Sequence, residues 1–144
     1  MQDIIIGSDH RGFELKGHIK DFLRSNKFFF IDVGCSSTAS VDFPVIAKEV
    51  VDTVAGSKHM AGILICGSGV GVSIAANRYK GIRAALCHRT EQARSAREHI
   101  DANVLCLGAD GADIESMKKI VSVFLKTKPL DDEKYKRRRA MLDK

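Results

Sequence analysis

Apolar positions along this chain fall into two kinds of run. Short, nearly continuous runs occur at Ile4–Ile6, Phe28–Val33, Gly62–Cys66, Ile82–Cys87 and Val104–Leu107. Runs of that length without alternation read as strands buried on both faces, the pattern of a parallel sheet. Between them lie longer segments with helical spacing. In Phe13–Ser25, residues Leu15, Ile19, Phe22 and Leu23 share one face, with polar residues opposite. A second helix is predicted from Asp42-Phe43-Pro44, with Asp42 as its cap and Pro44 in its first turn, to Ala55, where Gly56 stops it. Further helices are predicted over Val70–Tyr79, from a Thr90 cap to about Glu98, from an Asp113 cap to about Leu125, and over the charged tail from Asp131 onward.

Strand and helix therefore alternate throughout, and a tail helix follows. That order predicts an α/β fold: a three-layer α/β/α sandwich, Rossmann-like, with a five-stranded, mainly parallel sheet. No repeat, low-complexity stretch or linker divides the chain, so residues 1–144 are expected to form one domain. In such sheets ligands bind beyond the carboxyl ends of the strands. The expected site-facing loops are then Gly7–Gly12, Gly34–Phe43, Gly67–Gly71, His88–Arg89 and Gly108–Ala112.

Composition narrows the function classes. With 44% hydrophobic and 28% charged residues the chain is globular. No apolar run approaches the roughly 18 residues that cross a membrane. The opening MQDIIIGSDH lacks a basic stretch leading into an apolar one, so the expected location is the cytoplasm. The four cysteines, Cys35, Cys66, Cys87 and Cys106, form no C-x-x-C pair, and no metal site is expected. Three of them close or continue apolar runs, as small buried residues of a reduced protein would. The net charge is +5, concentrated in the last eighteen residues. A basic tail on a nearly neutral body suggests a local anion site. Its KYKRRR run, Lys134–Arg139, holds one aromatic residue, too few for a platform that stacks nucleic-acid bases. Such a run is either a solvated helix face or a phosphate contact, with Lys134 and Arg138 four apart and pointing the same way.

The most informative stretch is LICGSGVG, residues 64–71. Gly67, Gly69 and Gly71 leave backbone amides unshielded where a helix begins, and a helix start carries free N–H groups and the positive end of a dipole. This is an anion cradle for a phosphate, a carboxylate or a developing oxyanion. Two familiar anion loops do not fit it. A dinucleotide fingerprint requires glycine at position 72, and a cysteine-phosphatase loop requires arginine there; the residue is Val72. Cys66 is then either a small residue closing a core strand or a thiolate stabilised by the helix start, acting as nucleophile or base. A base beside an oxyanion cradle suits proton abstraction next to a carbonyl. On the same edge the reading places Asp9-His10, just past the first strand, and His99, which ends the helix before the fifth strand. Taken alone, His99 reads first as a charge partner for that helix end. His18 and His59 read as surface residues, and His88 has no assigned role.

Taken together, GSDHRGFELK at 7–16, Asp42-Phe43-Pro44, GILICGSGVGVSIAANRYKGIRAALC at 62–87, HIDANVL at 99–105 and the basic tail resemble the ribose-5-phosphate isomerase B family, which includes the galactose-6-phosphate isomerase subunits. The resemblance covers nearly the whole chain. It implies an aldose–ketose isomerase that works through an enediolate without metal or cofactor, interconverting ribose 5-phosphate and ribulose 5-phosphate in the pentose phosphate pathway. By position it implies Cys66 as the base, Ser68 as a helper in moving the hydroxyl proton, and the amides of Gly67, Gly69, Val70 and Gly71 as the enediolate cradle. His99 would open the sugar ring, beside Ile100. Asp9 and His10 would bind the ring or its phosphate, and Lys134 and Arg138 the phosphate. The family's site lies between two subunits, which implies a homodimer or a homotetramer. Four positions depart from the usual pattern: Ile100 replaces asparagine, Asp110 and Lys134 each replace arginine, and Phe43 replaces tyrosine. The loss of positive charge at Asp110 implies a weakened phosphate site. A six-carbon aldose phosphate as substrate, or an anion-binding module without activity, are the competing readings.

Overall fold

In a computed structural model, which describes residues 2–143, five strands alternate with helices. The strands are β1 (Asp3–Ser8), β2 (Phe30–Asp32), β3 (Met60–Cys66), β4 (Ala84–Leu86) and β5 (Val104–Gly108). The helices are α1 (Phe13–Ser25), α2 (Phe43–Ala55), α3 (Val70–Asn77), α4 (Thr90–Ile100), α5 (Ile114–Lys126) and α6 (Glu133–Leu142). A short 3₁₀ turn, His10–Gly12, leads from β1 into α1.

The sheet has the order β2-β1-β3-β5-β4 and every pairing is parallel. That order fixes where the helices go, because parallel crossovers are right-handed. The steps β1 to β2 and β4 to β5 run one way along the sheet, and the steps β2 to β3 and β3 to β4 run the other. Accordingly α1, α4 and α5 cover one face, packing Leu15, Ile19, Leu23, Ala93, Ile120 and Phe124 on Ile4, Ile6, Ile63 and Leu105. On the opposite face α2 and α3 pack Ile46, Val50, Val54, Val72 and Ala76 on Ile5, Leu64, Val104 and Cys106. The three-layer sandwich is the architecture that the hydrophobic pattern predicts, and the sheet is parallel throughout.

Details differ from that pattern for physical reasons. The strands predicted at Phe28–Val33 and Ile82–Cys87 shorten to three residues each, because β2 and β4 are the sheet edges. Their apolar residues are not buried on both faces: Phe29 is 62% exposed and Ile31 44%. Asp42 occupies the N-cap position of α2, but its side chain makes no capping bond. Thr90 is the first helical residue of α4 rather than its cap; the side chain of Gln92 instead accepts from the amides of His88 and Arg89 at 2.7 and 3.2 Å. Asp113 does cap α5, accepting from the Ser116 amide at 2.9 Å. The α3 helix ends at Asn77, two residues short of its expected end at Tyr79.

No side chain of α6 is buried. The helix lies against α4 and is tied there by polar contacts. The Leu130 amide donates to Glu98 O at 2.9 Å. Arg139 donates to Leu130 O at 3.0 Å. Arg83 Nη1 donates to both carboxylate oxygens of Asp143, at 2.8 and 2.9 Å.

Candidate active site

The loops after β1 and after β3 leave in opposite directions, toward α1 on one face and α3 on the other. The same divergence separates β3 from β5, whose loop leads to α5. A crevice opens where neighbouring loops part in this way. Cys66 therefore closes a strand flanked by two such points, at the middle of the sheet's carboxyl edge.

All three glycines after Cys66 have steric reasons to be glycine. Gly69 has φ +77°, and a Cβ there would lie 2.5 Å from Leu86 Cδ1. A Cβ at Gly67 would lie 2.6 Å from Arg11 Cζ, and one at Gly71 would lie 2.9 Å from the Phe43 ring. The left-handed turn at Gly69 carries its amide back over the strand end, where it donates to Cys66 Sγ at 3.2 Å. The sulfur is thereby held in one place, as the acceptor of a backbone N–H. The sulfur is nearly buried, with Cys66 5% exposed. Ser68 is exposed, and its Oγ accepts from the Val70 amide at 3.2 Å. Two donors expected in the cradle, those of Gly69 and Val70, are thus engaged within the loop, by the groups expected to move protons.

Two of the other three thiols titrate high. Burial pushes Cys87 up to about 11. Burial, reinforced by the neighbouring Cys66 and Cys87, pushes Cys106 further up. Both are core residues, as their apolar context predicts.

Asp9 and His10 stand beside this loop, since the Asp9 amide donates to Ile65 O at 3.1 Å. Asp9 Oδ1 accepts from the amides of Arg11 and Gly12 at 3.0 and 3.1 Å, which caps the 3₁₀ turn. His10 Nδ1 accepts from the Val41 amide at 3.2 Å. An Nδ1 that accepts leaves the proton on Nε2, so the neutral ring presents a donor from its far side. The segment that carries Val41 is held by Lys16, which sequence reasoning missed. Its Nζ donates to Asp32 Oδ1 at 2.7 Å and to Cys35 O, and the residue is 1% exposed. Burial alone would raise Asp32, but hydrogen bonds from Lys16, Lys20 and the Gly34 amide outweigh it and hold the carboxyl below its ordinary value. The sequence signal was present: Lys16 falls on the apolar stripe of α1, between Leu15 and Ile19.

His99 is not on this edge, which corrects the sequence reading. A helix between parallel strands runs back against them, so the end of α4 lies at the amino edge of the sheet. The levels of Gly62–Val104 and Cys66–Gly108 alone are four residues of strand apart, about 13 Å. His99 stacks on Tyr135 of α6 with ring centroids 4.5 Å apart and planes 10° from parallel. Lys134 Nζ lies 4.9 Å and Arg138 Cζ 5.9 Å from the centre of the same tyrosine ring. Lys134 and Arg138 do point the same way, and they bring their charge to His99. Ile100, 37% exposed, lies beside them. His18, His59 and His88 are exposed. One chain thus holds Cys66, Ser68, the glycine loop, Asp9 and His10 at one edge, and His99, Ile100, Lys134 and Arg138 at the other.

Comparison with known proteins places this arrangement. The sequence model of a family described as ribose/galactose isomerase matches residues 4–142. A putative sugar phosphate isomerase of Rickettsia bellii is 46% identical over 126 residues, covering 88% of each chain. The ribose-5-phosphate isomerase B of Escherichia coli is 43% identical over 125 residues, covering 87% of this chain and 84% of that one. The crystal structure of a ribose 5-phosphate isomerase from Thermotoga maritima superposes with a TM-score of 0.94 at 44% identity, covering 99% of this chain and 97% of that one.

Proposed function

The chain belongs to the ribose/galactose isomerase family, and we propose that it interconverts ribose 5-phosphate and ribulose 5-phosphate, a step of the pentose phosphate pathway, with Cys66 as the base. The observation that carries the reading is the Cys66 sulfur, nearly buried at the strand end and facing the Gly69 amide at 3.2 Å. The thiolate takes the proton from C2 of the open-chain aldose. The electron pair moves into the C1–C2 bond, and the C1 carbonyl oxygen gains negative charge. The loop amides not engaged by Cys66 and Ser68, those of Gly67 and Gly71 among them, receive that charge. The proton returns at C1 to give the ketose, while Ser68 passes the hydroxyl proton between the two oxygens. His10 donates from Nε2 to the substrate, and Asp9 offers Oδ2, since both of its turn-capping bonds go to Oδ1.

Ring opening needs an acid–base group, and none of the side chains just described is assigned to it. In this reading His99 of a second copy supplies it, with Lys134 and Arg138 of that copy at the phosphate. The distance of these residues from Cys66 within one chain supports this. So does an exposed apolar face beside the site: Val70 and Ile74 on α3 are 48% and 60% exposed, next to the edge strand β4. A two-fold dimer would complete two sites at once.

The test is an isomerase assay of the purified chain across pentose and hexose phosphates. Preferred turnover of ribose 5-phosphate is the expected result. Preferred turnover of a six-carbon aldose phosphate would move the substrate, and no turnover with any of them would remove the enzymatic reading.

A further inference from the structure

The loop after β5 is bound to the loop after β3. The Ala109 amide donates to Cys66 O and the Asp110 amide to Gly67 O, each at 2.9 Å. Across this junction lies Arg11, from the turn after β1. Its guanidinium rests against Gly67, with Cζ, Nε and Nη1 at 2.6, 2.7 and 2.9 Å from where a Cβ would stand. Nη2 donates to the Asp110 carboxylate. Three loops of the site thus meet in one ion pair.

Stability does not account for this pair. The Arg11 and Asp110 side chains are 58% and 53% exposed, and an ion pair so open to solvent contributes little to folding. A guanidinium has five N–H donors in a fixed fork. Among the described residues the Arg11 side chain has one hydrogen-bonded partner, Asp110. The remaining donors sit on the amide cradle, in solvent. Asp110 holds the side chain in one place, so a ligand need not meet the full ordering cost of a free arginine.

We propose that Arg11, positioned by Asp110, binds the phosphate of the substrate at the edge of the amide loop. The inference rests on the isomerase reading for the substrate, but it concerns an anion contact that can be measured without turnover. It also changes the meaning of Asp110. From sequence alone that residue is a positive charge lost from the phosphate site; in the structure it anchors a cation supplied by another loop.

The experiment compares the full-length chain with Arg11→Met, Arg11→Lys and Asp110→Asn. The readouts are KM and kcat for ribose 5-phosphate, KM for unphosphorylated ribose, and protection of Cys66 from iodoacetamide by inorganic phosphate. Arg11→Met removes a charge-assisted contact and should raise KM for ribose 5-phosphate about tenfold or more, with kcat changed far less. The phosphate concentration that protects Cys66 should rise in parallel, and KM for ribose should stay unchanged. Arg11→Lys keeps the charge and should fall between. Asp110→Asn, which frees the arginine, should weaken phosphate protection less than Arg11→Met does. Unchanged KM and unchanged protection in a folded Arg11→Met protein would overturn the assignment, as would an equal rise in KM for ribose. If the wild-type chain isomerises no sugar phosphate, the functional reading fails, and phosphate protection alone then decides on Arg11: loss in Arg11→Met supports it, retention overturns it.

Discussion

The two edges of the sheet carry chemistry of different kinds. The carboxyl edge holds a sulfur, a loop of amides and an imidazole, each held by a hydrogen bond that a backbone amide donates. The amino edge holds a histidine stacked on a tyrosine, with Lys134 and Arg138 gathered round that ring on a helix that buries nothing. The first, built around a nearly buried sulfur, is the centre proposed to move a proton to and from carbon. The second is an exposed, cationic arm. Neither is a complete site for a ring-closed sugar phosphate. On the proposed reading, the difference teaches that the reaction is divided between two edges that lie apart within one chain.

Removing the sulfur should break the carboxyl edge outright. Cys66→Ala is expected to lower kcat on ribose 5-phosphate by on the order of 10²–10⁴-fold, the range for a general base. Because Cys66 is small and sits at a strand terminus, the loss of stability should be about 1–2 kcal/mol. Circular dichroism with steady-state kinetics checks both; a folded variant with retained activity would take Cys66 out of the mechanism.

A change at the amino edge should show the division of labour. His99→Asn is expected to slow turnover of ring-closed ribose 5-phosphate by on the order of 10²-fold, and turnover of a substrate already in the open-chain form much less. Equal losses on both would assign His99 to the shared proton transfer, or to holding α6.

The smallest effect concerns the support under His10. The folded pKa of Asp32 lies below its unfolded value of 3.8. Its contribution to stability is therefore present above pH 3.8 and is lost as pH falls through the folded value. Urea titrations should show Asp32→Asn less stable than wild type at pH 7, with the gap closing below pH 4. A gap that stays constant with pH would mean that Lys16 and Lys20 draw nothing from the charge of Asp32.

Much of this was legible in the order of apolar runs. The three central strands are continuous because both faces are covered, and the loop after Cys66 stands out because three spaced glycines at a helix start leave amides unshielded, while Cys66 itself reads either as a small residue closing a core strand or as a thiolate. The edge strands were overread: Phe29 and Ile31 are as apolar as core residues, and only their place in the sheet exposes them. His99 was put on the wrong edge because helical spacing gives a residue's face, not the end of the sheet at which the helix finishes. Arg11 and Asp110 stand 99 positions apart, and nothing local in either segment announces the other.

The central claim is that each site draws Cys66 from one chain and His99 from another, and mixing impaired chains tests it most directly. Cys66→Ala and His99→Asn chains, each slowed by on the order of 10²-fold or more on ribose 5-phosphate alone, are co-expressed with different tags and the mixed dimers purified. A mixed dimer has one site with both defects and one with neither, so an unfractionated random mixture should recover roughly a quarter of wild-type activity. Recovery of that order, carried by the doubly tagged fraction, is the predicted result. Mixed dimers as slow as their parents would contradict the account, because Cys66 and His99 would then have to act from the same chain.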